Sequence, residues 1–238
     1  MKSALKGLAL LIVLSMGVML HADVTVGTGD TGNCYPFLCN DSGTSSGVTM
    51  DYQQAYSHNA FSGSITITNL EFYYAPQFGG SSTMIDGTYN IYLGTSANPF
   101  NGLSADQTAN RSGDWTLVDS FTVSGNGCDF NTVCSIILNT AFTYDPGAGD
   151  LLLEVIASDQ ANIPNGSGNG YMQADDTGAL MGRNYCLGAR DCSFGTVDGI
   201  GLVTTFSTGV ATPEPGTLAL LGTGLLGMVG ILRRKITR

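Results

Sequence analysis

The sequence predicts an all-β fold, an antiparallel β-sandwich or jelly roll, for the stretch between its two apolar ends. Three observations predict it. Apolar residues recur at every second position in several short runs. Clusters of Gly, Asn, Asp and Ser separate those runs. No long helical periodicity appears between them.

The runs follow in chain order. In GSITITNLEFYYA, Ile65 and Ile67 share one face; the parity then shifts to Leu70, Phe72 and Tyr74. One inserted residue near Asn69 does this, so a bulge is expected there. GTYNIYLGTS aligns Tyr89, Ile91 and Leu93, and DWTLVDSFTV aligns Trp115, Leu117, Phe121 and Val123. CSIILNTAFTY supplies Ile136 and Leu138. LLLEVIAS, with Leu151, Leu153 and Val155, is apolar enough for a strand buried on both faces. GIGLVTTFST is a last strand, with Ile200, Leu202, Thr204 and Phe206 on one parity. Between the CSIILNTAFTY and LLLEVIAS runs, DPGAGD reads as a hairpin or short loop. Roughly eight to ten strands are expected.

The ends carry different information. Lys2 and Lys6 precede an apolar core from Gly7 to Leu20, and the small Ala22 is followed by polar residues. That is the order of a secretory signal peptide, residues 1–22, with cleavage expected after Ala22. At the other end Thr217 to Leu232 has no charge in 16 residues, and Arg233, Arg234, Lys235 and Arg238 follow. The run suits a short single transmembrane helix whose basic tail stays on the cytoplasmic side. Pro213 and Pro215, on either side of Glu214, fix φ and keep the segment before the helix extended.

Pro213-Glu214-Pro215, the Gly-rich apolar span and Arg233-Arg234-Lys235 together resemble the PEP-CTERM sorting signal of Gram-negative bacteria. The resemblance implies recognition by a membrane protease-transpeptidase, an exosortase. It implies export through the inner membrane by the secretion machinery and a transient stay in the membrane through the C-terminal helix. Display on the cell surface or in the extracellular matrix would follow. Residues 213–238 are then an address, and residues 23–212 are the working ectodomain. YQQAYSHNAFSGSITITNLEF, DGTYNIYLGTS and AFTYDPGAGDLLLEV also look like recurring segments of PEP-CTERM ectodomains, a resemblance that supports one domain from about Val48 to Ser207 and supplies no catalytic residue.

Residues 23–212 contain 18 acids and three bases, Arg111, Arg183 and Arg190. Such a surface repels phosphate backbones and excludes nucleic acid as a partner. Cys34, Cys39, Cys128, Cys134, Cys186 and Cys192 form an even set in an exported chain, which reads as disulfides, most simply the three sequence-local pairs.

Catalytic motifs are few. Gly222 to Gly227 matches a dinucleotide-binding pattern but lies in the membrane segment. Gly43 to Gly47 places Ser45 in a nucleophile-like pattern inside a Ser-Gly loop, with His58 as the available base. Glu71 and Glu154 are the only glutamates of the ectodomain; both sit in strands, where they are expected at solvent or an edge, which argues against paired-carboxylate hydrolysis of glycans. Asp30, Asp86, Asp175, Asp176 and Asp198 lie in turn-like contexts that suit calcium, although no calcium-loop spacing is present. Tyr35, Tyr52, Tyr56, Tyr171 and Tyr185 fall outside the clearest core positions and are candidates to stack on sugars. The expectation is a protein without catalysis and without a required cofactor, associated with extracellular polysaccharide. A sugar-binding module, calcium-assisted or not, and a glycan hydrolase are the alternatives.

Overall fold

The structure, a computed structural model, describes residues 23–39, 48–80, 82–125, 128, 133–161 and 170–208. The signal peptide, Ser45, the Pro213–Pro215 triplet, the apolar span with its glycine motif and the Arg233–Lys235 cluster lie outside the described residues. The body is all-β. Its strands are β1 (Val24–Val26), β2 (Thr31–Asn33), β3 (Val48–Tyr56), β4 (Ile65–Tyr73), β5 (Gly87–Thr95), β6 (Thr116–Val123) and β7 (Val133–Tyr144). They continue with β8 (Leu151–Ser158), β9 (Met172–Asp175), β10 (Met181–Leu187), β11 (Thr196–Asp198), β12 (Gly201–Leu202) and β13 (Thr204–Ser207). All pair antiparallel, in a six-stranded sheet ordered β11-β10-β3-β8-β5-β6, a four-stranded sheet ordered β1-β13-β4-β7 and a three-stranded sheet ordered β12-β9-β2. Among the described residues no helix is long and apolar enough to cross a membrane.

The two larger sheets enclose one core. The four-stranded sheet contributes Ile65, Ile67, Leu70 and Phe72 from β4, Ile136 and Leu138 from β7, and Phe206 from β13. The six-stranded sheet contributes Tyr52 and Tyr56 from β3, Tyr89, Ile91 and Leu93 from β5, and Leu151, Leu153 and Val155 from β8. Burying each of these side chains stabilises the fold by roughly 1.5–3 kcal/mol before entropy is counted. The parity switch in β4 is real: the register with β7 shifts between Ile67 and Asn69, and Ile67 and Leu70 both point inward. On β7 the same step runs from Phe142 to Ile137, so four residues, Leu138–Ala141, stand against Thr68 alone.

Four expectations need correction. β6 does not keep one parity: β5 steps from Ile91 to Tyr92 while β6 steps from Asp119 to Leu117. Val118 is therefore inserted and buried, and Leu117 turns outward at 47% exposure. Of the two readings of DPGAGD the short loop holds and the hairpin falls, because it carries the chain from β7 in one sheet to β8 in the other. Tyr144 closes that crossover by donating to the Gly149 carbonyl at 2.6 Å. GIGLVTTFST is not one strand either, because β12 and β13 join different sheets and both parities of β13 are buried. The fourth concerns Tyr52 and Tyr56. They lie on β3, a central strand, and are fully buried, so neither can meet a polymer. Tyr52 donates to Gln54 Oε1 at 2.6 Å, and the Tyr56 hydroxyl pairs with that of Thr204 at 2.7 Å. Burial pushes both phenols up from their ordinary range.

The outer face of the six-stranded sheet is covered too. Residues 96–115 cross it, with short turns of helix at Phe100–Gly102 and Gln107–Asn110. Gly182 on β10 permits this approach, since any Cβ there would collide with the Phe100 carbonyl. The three disulfides pair Cys34–Cys39, Cys128–Cys134 and Cys186–Cys192, with Cα–Cα distances of 5.2, 5.5 and 6.2 Å. The third holds a loop that docks on the covering segment: Gln107 N donates to the Cys192 carbonyl at 2.9 Å, and Cys192 N donates to Gln107 Oε1 at 3.0 Å. Replacing Cys186 and Cys192 together by serine is expected to cost about 2 kcal/mol in urea unfolding, from the chain-entropy of a short loop. An unchanged midpoint would show that the docked loop needs no covalent closure.

Candidate functional site

The densest chemistry lies beneath residues 96–115. Strand pairing sets Gln53 opposite Glu154 and Glu154 opposite Tyr92, all on the outer face, with Asp51 two residues along β3. Glu154 was expected at solvent; instead it is fully buried. Its carboxylate accepts from four donors: Arg111 Nε at 2.9 Å, Arg111 Nη2, Trp115 Nε1 and Gln53 Nε2 at 3.0 Å. Asp51, also fully buried, accepts from Asp191 N at 3.0 Å and lies 3.6 Å from Arg111 Nη2. Arg111 pairs as well with the half-exposed Asp191.

One guanidinium serves three carboxylates, and Asp51 is the one left short. Burial first, and then the neighbouring Glu154 charge, push its carboxyl up to about 8. Asp51 therefore holds its proton well above the ordinary carboxylate range. Its Oδ1 and the Asn184 Oδ1 are buried oxygens with no donor among the described residues. A proton on Asp51 makes Oδ1 a donor and removes one of those two unmatched acceptors.

Trp115 roofs the cluster. Its ring stacks on Tyr92 at 4.2 Å and 7°, and the Arg111 guanidinium carbon lies 4.5 Å from its centroid. Two groups that close to one ring must occupy opposite faces, so neither face is open to a sugar. The carboxylates are shut in by their own donors. Two neighbouring carboxyls are what hydrolases use, but here both are fully buried and a glycan cannot reach them. The arrangement locks residues 96–115 onto the sheet. Sequence reasoning missed it, although a signal was present: a glutamate inside a doubly buried strand must find a cation, and the ectodomain has only three.

A second cluster forms at the β10–β11 end of the same sheet. Arg183 pairs across the strands with Asp198, Nε to Oδ1 at 2.8 Å and Nη2 to Oδ2 at 2.9 Å. Its guanidinium carbon sits 4.9 Å from the Tyr185 ring centroid, and Tyr35 lies 5.0 Å from Tyr185 with a 33° tilt. Both tyrosines are part exposed. Tyr35 is set by the Cys34–Cys39 turn, where its N–H donates to Asn33 Oδ1 at 3.1 Å. Arg183 is 7% exposed, and its Nη1 has no hydrogen-bond partner among the described residues. The Tyr52 hydroxyl, whose proton goes to Gln54, remains an acceptor beside this guanidinium. Two of the five tyrosines singled out from sequence thus meet here. Tyr171 stands elsewhere, 5.9 Å from Phe78.

The remaining candidates are engaged locally. Asp175 accepts from Thr28 and Thr177 through both oxygens; burial opposes its charge, but these donors hold the carboxyl below its ordinary range. Asp30 Oδ1 accepts from Asp176 N at 3.2 Å, Asp86 Oδ1 accepts from Gly125 N at 2.8 Å, and Asp198 is held by Arg183. Among the described residues no group of three or more His, Cys, Asp or Glu is placed to hold a metal ion. His58 Nδ1 lies 2.7 Å from Asp150 Oδ1, and Asp150 also accepts from the His58 and Phe100 N–H groups. That pair fastens the turn after β3 to the crossover before β8. Glu71, on the outer face of the four-stranded sheet, accepts from Asn69 Nδ2 at 3.2 Å. A groove of about 460 Å³ opens between the β6 and β7 edges, where Asp119 accepts from Asn139 among apolar neighbours such as Phe121 and Ile136.

Residues 211–235 match the family model of the PEP-CTERM protein-sorting motif. The match spans the Pro213–Pro215 triplet, the apolar run and the Arg233–Lys235 cluster. No curated protein and no solved structure matches the chain.

Proposed function

We propose that this PEP-CTERM sorting-domain-containing protein is a non-catalytic component of the extracellular polysaccharide layer, delivered there by its C-terminal signal. Export and exosortase processing toward the cell envelope or surface of a Gram-negative bacterium follow from the motif at residues 211–235. That motif is the observation that carries the reading. The finer part rests on the ectodomain. It is an acidic, disulfide-closed β body, suited to persisting outside the cell. Among the described residues the close pair of buried acids, Asp51 and Glu154, is sealed by Arg111 and Trp115, which supports a passive role.

Mass spectrometry of the protein from its native host tests the delivery step. The expected C-terminus lies at or near Pro213–Pro215, and a Pro213→Ala, Pro215→Ala double variant is expected to stay in the membrane fraction with Arg238 intact. Wild-type protein recovered mainly with Arg238 would overturn processing. Association is tested separately: wild-type protein should co-fractionate with isolated extracellular polysaccharide without shortening it.

A further inference from the structure

We propose that two copies of this body associate about a two-fold axis along the free edge of β11, with Phe194 and Val197 at the centre and Arg190 of each copy facing Asp176 of the other. The first observation is apolar. β11 ends the six-stranded sheet; β10 pairs with one side of it, and no strand among the described residues pairs with the other. Being three residues long, β11 offers few ladder bonds, so the side chains around it carry the contact. Phe194, just before the strand, is 94% exposed, the most exposed large apolar side chain among the described residues, and Val197 within it is 41% exposed. Phe194 is held out on a fixed stretch of chain. The Cys186–Cys192 bond closes two residues before it, and Gly195 N donates to the Ala105 carbonyl at 2.8 Å just after it. A solvent-facing aromatic held in place is the kind of side chain that anchors an interface.

Charge says what covers this edge. Two bodies with 18 acids and three bases each repel across most of their faces. All three bases gather at this end of the sheet: Arg183 lies on β10 and is matched by Asp198, Arg190 lies in the loop after β10, and Arg111 reaches Asp191 of that same loop. This is therefore where two copies repel least. Arg190 is also short of a partner. Its nearest acid, Asp191 at 3.5 Å, is already engaged by Arg111, and its own side chain is 44% exposed. The loop that carries Arg190 springs from the Tyr185–Thr196 end of the β10–β11 ladder. At the opposite end Gly199 follows Asp198, and a Cβ on Gly199 would come within 3.2 Å of the Gly178 Cα, which brings the exposed Asp176 to that side. The strand thus has a basic end and an acidic end. A two-fold axis sets the two strands antiparallel, so the basic end of each copy meets the acidic end of the other, and the contact is made twice. A parallel arrangement would set Arg190 against Arg190. With Val197 on the axis, Thr196 faces Asp198 of the second copy, and no two acids of the strand oppose each other.

The test is sedimentation velocity, over a concentration series, of the protein secreted by its native host. A dimer that dissociates on dilution is expected. Arg190→Glu and Asp176→Lys should each weaken it about tenfold, because each sets like charges together twice per dimer. The variant carrying both changes restores the pairing with the signs exchanged and should recover most of the affinity. Phe194→Ser should abolish the dimer and leave the urea midpoint unchanged, since this side chain is 94% exposed in the single copy. Cross-linking locates the axis: Val197→Cys should give a disulfide-linked dimer on a non-reducing gel, and Ile137→Cys, on β7 at 78% exposure, should not. A monomer at every concentration would overturn the proposal, as would an exchanged pair that recovers nothing. A dimer that survives Phe194→Ser, or that cross-links through Ile137→Cys instead, would also overturn it. So would a single copy that holds a glycan or another protein through Phe194.

Discussion

Arg111→Ala is expected to destabilise the body by about 3 kcal/mol, measured by urea unfolding at neutral pH. Removing one partner of a buried ion pair typically costs about 3–5 kcal/mol, because the other charge stays buried and unmatched. Here that charge is Glu154, fully buried, which would keep only Trp115 Nε1 and Gln53 Nε2 as donors. The lower end of the range applies because the Arg111 side chain is 13% exposed and water can follow the truncation. Glu154→Gln in the Arg111→Ala background should recover part of the loss, since a neutral amide needs no cation. A single variant within about 1 kcal/mol of wild type would show that Arg111 is incidental to residues 96–115.

Asp51 sets a pH dependence of opposite sign to ordinary carboxylates. Its folded-state carboxyl sits at about 8, above the ordinary value of 3.8, chiefly through burial. Below about pH 4 both folded and unfolded chains hold this proton, and the contribution to stability is complete. As pH rises from about 4 to 8, the unfolded chain releases the proton first and stability falls, by at most about 1.4 kcal/mol per pH unit for one group. Asp114 and Asp175 act the other way: despite burial, donors from Ser112 and Thr95, and from Thr177 and Thr28, hold their carboxyls low, and they lose stability as pH falls toward acid. Stability should therefore decline on both sides of a mildly acidic optimum. Asp51→Asn is expected to remove the alkaline decline and leave the acid limb in place. Trp115, the single tryptophan, donates to Glu154 and should report the same titration in its fluorescence. An alkaline limb of equal slope in Asp51→Asn would refute the assignment.

The parts legible in sequence were those governed by spacing. Alternation marked β4, β5, β7 and β8, and the doubled parity near Asn69 marked the bulge. Sequence-local cysteines closed as the shortest loops. What escaped was governed by tertiary cover. In VTMDYQQAY Val48, Met50, Tyr52 and Tyr56 share one parity, but the interleaved Asp51 and Gln53 suggest a solvent face; β3 is central because residues 96–115 shelter that face while Met50, Tyr52 and Tyr56 fill the core. Nothing local to LLLEVI says whether Glu154 meets water or Arg111, 43 residues away in the chain. DPGAGD has the chemistry of a turn, but turn chemistry does not say whether the flanking strands pair or part. Tyr35 and Tyr185 pack half-buried against the core, and that they meet follows only from how the Cys34–Cys39 turn lies over β10.

The loop-out on β7 bears on life in a crowd. Twelve residues without a single charge, paired on one side only among the described residues, would template sister molecules concentrated along an export route. The excursion of Leu138–Ala141 breaks that template into two lengths, Val133–Ile137 and Phe142–Tyr144, that no longer share one register. The backbone of β7 thus offers a second copy two offset edges in place of one continuous edge.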